Sequence, residues 1–172
     1  MSERLGAKEV VKVLNEYFEI MVEIIFEHEG TLDKFIGDAI MAIWGAPFTT
    51  GDDAYNAVAA SVKMQRALRE FNDVRIRADL EPIEIGVGLD TGHIVAGYMG
   101  SSRKLEYTVI GDSVNRAARL CSLAAPTEIL VSEETLKHVG NRAICEEREP
   151  ARLKGISKLV NNYLVKGLRY PT

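Results

Sequence analysis

Apolar residues recur at helical intervals along the first part of the chain. Val10, Leu14, Phe18, Met21 and Ile25 follow one another at spacings of four, four, three and four. The resulting stripe predicts a helix over residues 8–28, ended by Gly30. Two short strands are expected next, over 31–36 and 39–45, around the turn pair Gly37-Asp38. Pro47 and Gly51 break the chain, and Asp52 or Asp53 offers an N-cap for a second helix. Ala57, Ser61, Met64, Leu68 and Phe71 share one face of that helix, which ends before Pro82. "IEIGVGLDTGHIVAGYMG" predicts a strand, a turn at Asp90-Thr91-Gly92 and a further strand. "LEYTVIG" is another strand and runs straight into "DSVNRAARLCSLA", a helix with Asp112 as its expected N-cap. "EILVS" predicts a short buried strand, and Ser132 opens a short helix. "CEEREPARLKGISKLVNNYLVKGL" predicts two strands joined by a loop. Helices packed on strands, with hairpins mixed in, indicate an α+β fold with a largely antiparallel sheet.

Composition narrows the field without choosing a function. The 172 residues are 47% hydrophobic, which suits one domain with a substantial core, residues 1–172 taken as a single unit. Charge is balanced, 21 Lys+Arg against 25 Asp+Glu for a net of -4, and gives no general case for binding nucleic acid or an anionic membrane. No apolar run approaches the roughly 20 residues of a membrane span. "MSERLGAKEVV" lacks the basic start and apolar stretch of a signal peptide. Cys121 and Cys145 alone make neither a disulfide framework nor a zinc spacing, so a reducing, cytoplasmic setting is the default.

Several polar residues carry candidate chemistry. Asn115 and Arg119 are four apart on the helix after "TVIG" and project from one face. An amide beside a permanently charged fork suits a developing phosphate or oxyanion charge, and equally an exposed polar face. Asp38 at a turn tip can offer a carboxylate to a hard cation such as Mg²⁺, or serve the turn alone. Lys34 lies four residues before it; with strand alternation Lys34 and Ile36 share a face and Phe35 takes the other. Arg103, Lys104 and Lys154 can meet triphosphate oxygens, and composition alone fits solvated loop cations as well. The three histidines are scattered and suggest no ligand role. The glycines between 86 and 100 have neither Walker nor Rossmann spacing and suit close backbone approach in strands.

Taken in order, "TLDKFIGDAIMAIWGAP", "IGVGLDTGHIVAGYMGS", "LEYTVIGDSVNRAARL" and "LKG" resemble the class III adenylyl/guanylyl cyclase catalytic domain over roughly residues 2–168. The resemblance implies a ferredoxin-like, mostly antiparallel sheet packed with helices. It implies that the 3′-hydroxyl of a nucleoside triphosphate attacks its own α-phosphate, releasing pyrophosphate and forming a 3′,5′-cyclic monophosphate. It further implies two Mg²⁺ or Mn²⁺ ions per site, with Asp38 matching the second of two metal aspartates. Asn115 matches the ribose-orienting asparagine, and Arg119 the arginine that stabilises the pentacoordinate phosphate. Arg103 and Lys154 match cations on the terminal phosphates. Lys34 matches the lysine that reads adenine N1, and Thr108 its partner accepting from the adenine amino group; ATP is therefore the expected substrate. Because the chain matches both halves of a shared site, a head-to-tail homodimer is implied.

The segment that carries the family's first metal aspartate, similar to Phe-Ser-Asp-Ile-Arg-Gly-Phe-Thr, has no counterpart here. "MSERL" is similar to residues that follow it, so Met1 reads as an internal methionine of a longer chain. One carboxylate cannot hold two Mg²⁺ ions in the required geometry, and a missing central strand exposes two backbone edges. The 172 residues alone are therefore expected to show impaired turnover and a tendency to swap or aggregate. Three other readings stand beside the adenylyl cyclase: a cyclase-like module that binds nucleotide or a partner without turnover, a guanylyl cyclase, and a purely structural α+β domain, the default without the resemblance.

Overall fold

The computed structural model describes residues 6–152 and 159–169. Helix α1 (Ala7–Glu27) leads into the hairpin β1 (Thr31–Ile36) and β2 (Ala39–Ile43), followed by the long α2 (Asp53–Arg77). Then come β3 (Val87–Leu89), β4 (Val95–Ser101), β5 (Lys104–Ile110) and α3 (Asp112–Leu123). The chain closes with β6 (Ile129–Ser132), α4 (Glu133–Val139), a single 3₁₀ turn, β7 (Ala143–Arg152) and β8 (Leu159–Leu168). The fold is α+β, as the pattern predicts. One sheet runs β3-β6-β8-β7, while β1-β2 and β4-β5 are separate two-stranded ribbons. All pairs are antiparallel except β3 with β6. Among the described residues no helix is long and apolar enough to cross a membrane.

Three details differ from the sequence reading. The strands on either side of Asp90-Thr91-Gly92 do not pair; β3 joins β6 and β4 joins β5. The buried line of α1 runs through Val13, Tyr17, Met21, Ile24 and Ile25, with Leu14 and Phe18 packed on its flank. Asp52 and Asp112 make no side-chain cap bond; α3 starts at Asp112 with Gly111 before it. Asp53 instead accepts from the Thr49 and Thr50 hydroxyls and the Thr50 amide. Ser132 does cap α4, accepting from the Thr135 amide at 3.3 Å.

The core forms in layers that follow the alternation of each strand. On β6 all four residues are buried. Ile129 and Val131 face a cluster with Val58 of α2, Val139 and Val165, whereas Leu130 faces Leu120 of α3 and Leu164 of β8. A strand covered by helices on both faces must be apolar throughout, which accounts for "ILV". A second cluster joins α1 to α2 through Met21, Ile25, Ala60, Met64 and Leu68, with Ile40 and Ala42 of β2 packed against it.

Candidate active site

The β1–β2 hairpin turns at Gly37, whose φ of +65° is open to glycine and strained for most other residues. Asp38 follows at the exposed tip. Phe35 packs on Phe18 of α1 with ring centroids 4.3 Å apart, so Lys34 faces the other way, as alternation requires. Alternation fails one residue earlier. Leu32 opposes Ala42 and Lys34 opposes Met41, which leaves Asp33 as the extra residue of a β-bulge. Consecutive strand side chains normally diverge to opposite faces. Here Lys34 Nζ lies 3.4 Å from Asp33 Oδ2. The same oxygen accepts a hydrogen bond of 3.0 Å from the Thr108 hydroxyl on β5, 75 residues away in sequence. The Asp33 side chain is 1% exposed although its backbone is only partly covered.

Lys34 and Thr108 therefore meet on one buried carboxylate. Arg103 does not join them within one protomer. It sits in the turn between Ser101 and Lys104 at the far end of the β4–β5 ribbon. Four residues of strand, about 14 Å, separate Lys104 from Thr108. Lys154 lies outside the described residues. Asp33 itself carries no signal in the sequence beyond standing next to Lys34; strict alternation points it away, and only the bulge redirects it.

Asn115 and Arg119 are both exposed on α3 and, among the described residues, their side chains make no hydrogen bond or ion pair. The helix beneath them is held firmly. Arg116 Nε donates to Asp90 Oδ2 at 2.9 Å, and the Asp90 side chain is 1% exposed. Leu120 is fully buried against the sheet. Residues 115 and 119 are thus presented on a seated helix, one turn apart.

Asp38 has no hydrogen-bond or ion-pair partner among the described residues, and these contain no cluster of three or more acidic, histidine or cysteine side chains fit for a metal. A lone free carboxylate fits one ligand position of Mg²⁺ or Mn²⁺ when water and phosphate oxygens fill the others, the usual habit of Mg²⁺. The charge of Asp38 also reaches Tyr17. Burial chiefly, with Asp38 and then Cys121 adding, pushes the Tyr17 phenol up to about 12. Its folded value lies above the ordinary value of 10.0, so the associated stability is complete below pH ~10 and is lost as pH rises through about 12. The loss amounts to roughly 3 kcal/mol at 1.36 kcal/mol per pKa unit. Tyr17→Phe is expected to flatten that part of the alkaline stability profile, measured as urea midpoints at pH 8 and pH 11. An unchanged alkaline slope in the variant contradicts this.

Residues 1–167 match the family described as the adenylate and guanylate cyclase catalytic domain. The chain belongs to that family. It is 31% identical to adenylate cyclase 1 of Rhizobium meliloti over 170 residues, covering 98% of this chain and 26% of that protein. Among solved structures it resembles the adenylyl cyclase CyaB from P. aeruginosa, with a TM-score of 0.95 and 32% identity, covering 99% of this chain and 89% of the other. It also resembles the guanylyl cyclase Cya2, with a TM-score of 0.93 and 41% identity, covering 99% and 86%. The chain spans about a quarter of the length of the curated relatives it matches. The family makes this a nucleotide cyclase catalytic domain, with relatives acting on either purine.

Proposed function

We propose that the chain is an adenylyl cyclase catalytic domain that converts ATP to 3′,5′-cyclic AMP and pyrophosphate at a site shared by two copies. The observation that supports this most is the convergence of Lys34 and Thr108 on one buried oxygen, from strands of different ribbons. Lys34 donates to adenine N1 and Thr108 accepts from the adenine amino group. Asn115 holds the ribose so that its 3′-oxygen lies in line with the α-phosphorus. A new O–P bond forms there as the bond to pyrophosphate breaks, and the hydroxyl proton is lost to solvent. Arg119 meets the negative charge that grows on the α-phosphate oxygens. Arg103 and Lys154 hold the terminal phosphates, and Asp38 would be a ligand to a divalent ion. When bound, Mg²⁺ or Mn²⁺ would offset phosphate charge and favour the ionised attacking hydroxyl.

Two features support a head-to-tail homodimer. One protomer does not gather Arg103 with Lys34 and Thr108. The β4–β5 ribbon also bares Val95 and Ile110 on one face and Tyr98 and Leu105 on the other, each at least 60% exposed, apolar side chains that a second copy would cover in part. The 41% identity to a guanylyl cyclase favours GTP as a second reading. Product analysis with Mn²⁺ and either nucleotide separates them. The expected outcome is a kcat/KM for ATP at least about 100-fold above that for GTP; equal or faster GTP turnover overturns the adenine reading. If the chain binds nucleotide but makes no cyclic product with either one, it is a binding module.

A further inference from the structure

We propose that Asp33 is a positioning residue for base selection: its buried carboxylate accepts a hydrogen bond from the Thr108 hydroxyl and thereby leaves that oxygen only lone pairs to offer a nucleotide. The proposal rests on the adenine reading above and deepens it.

A threonine hydroxyl has one proton and two lone pairs, and when free it rotates to suit either kind of partner. An ionised carboxylate only accepts. In the 3.0 Å contact between Thr108 and Asp33 the hydroxyl must therefore be the donor. With its proton so engaged, Thr108 is an acceptor towards anything else that approaches. Lys34, 3.4 Å from the same Asp33 oxygen, has donors only. Together they present one acceptor and one donor. The pairing edge of adenine offers an amino donor and the N1 acceptor, which is the complement. The edge of guanine offers the O6 acceptor and an N1–H donor, which sets acceptor against acceptor and donor against donor. A hydroxyl free to turn would tolerate O6; one held by Asp33 does not.

The backbone is arranged for this contact. Asp33 is the extra residue of the β1 bulge, between the Leu32–Ala42 and Lys34–Met41 pairs. The bulge lets neighbouring side chains reach one point, and bulges are over-represented beside functional sites for that reason. A carboxylate that is 1% exposed is costly to bury unless it is bonded, and the partners of this one are the two base-facing residues.

Asp33→Asn keeps the size but replaces a pure acceptor by an amide that can also donate, which frees the Thr108 hydroxyl to turn outward. Dissociation constants for ATP and GTP are measured in the full chain by displacement of a fluorescent nucleotide. Their ratio is independent of the fraction folded, because both nucleotides see the same folded molecules. The wild type is expected to favour ATP, and the ratio is expected to shift towards GTP by about tenfold or more in Asp33→Asn, the scale of one hydrogen bond. Most of that shift should vanish in a Thr108→Val background, where no hydroxyl remains to orient. An ATP-favouring wild type whose ratio stays within twofold in the variant overturns the role of Asp33 alone. A wild type that favours GTP, or binds neither nucleotide, overturns the adenine reading itself. Should Asp33→Asn not fold, NMR of the wild type decides: a slowly exchanging Thr108 hydroxyl proton, absent in Thr108→Val, is expected, and rapid exchange overturns the proposal.

Discussion

Replacing Arg119 by alanine is expected to lower cyclic nucleotide formation by about 100- to 1,000-fold, the usual cost of removing one preorganised charge or donor from a developing oxyanion. The fold should scarcely notice. Arg119 is exposed on α3 and, among the described residues, bonds to nothing that its removal would strand. Surface substitutions of that kind stay within about 0.5 kcal/mol. The two readouts together make the test sharp. A large loss of kcat with KM and the urea midpoint nearly unchanged marks an interaction made in the transition state. If turnover falls by less than about threefold, Arg119 belongs to a solvated face and the proposed mechanism loses its main source of charge stabilisation. Arg119→Lys is a useful companion, because an ammonium restores the charge without the planar fork and should rescue only part of the rate.

Gly88→Ala should damage the same chemistry by another route. A Cβ at residue 88 would lie 2.1 Å from the Cys121 nitrogen, 2.5 Å from the Ala117 oxygen and 2.7 Å from the Leu120 carbonyl carbon. All three are backbone atoms of α3, so no rotamer change relieves the clash. Either the helix lifts from β3 or the sheet edge opens. A destabilisation of about 3 kcal/mol or more is expected, at the upper end of overpacking costs. Activity should fall even at temperatures where the protein stays folded, because α3 carries Asn115 and Arg119. Gly97→Ala is the control: its Cβ would meet nothing within 4 Å, and the unfolding midpoint should move by less than about 1 kcal/mol. Equal midpoints for the two variants would show that the β3–α3 contact is looser than its geometry indicates.

The elements were legible in the chain because periodicity is a local property. Spacing alone outlines α1, α2, the β1–β2 hairpin and the buried β6, and it puts Asn115 and Arg119 one turn apart on α3. Alternation also assigns Lys34 and Phe35 to opposite faces, as the Phe18–Phe35 contact bears out. Other features depend on partners far along the chain. Whether Val13 and Tyr17 or Val10 and Leu14 lie deepest is a matter of how α1 sits on α2, which a stripe several residues wide leaves open. β3 and β4, joined by an apparent turn, go to different sheets because β3 finds a parallel edge on β6 and β4 finds β5. Asp33 is the clearest case. Its sequence neighbours give it no role, and regular alternation would turn it from Lys34. The register of β1 against β2 inserts a bulge there, and the approach of β5 supplies Thr108. Sequence by itself determined which segments are helix or strand and which charged and polar side chains each of them carries. Tertiary structure alone decided which of them share an oxygen atom, since register and the packing of one ribbon on another are set by contacts between residues as much as 75 positions apart.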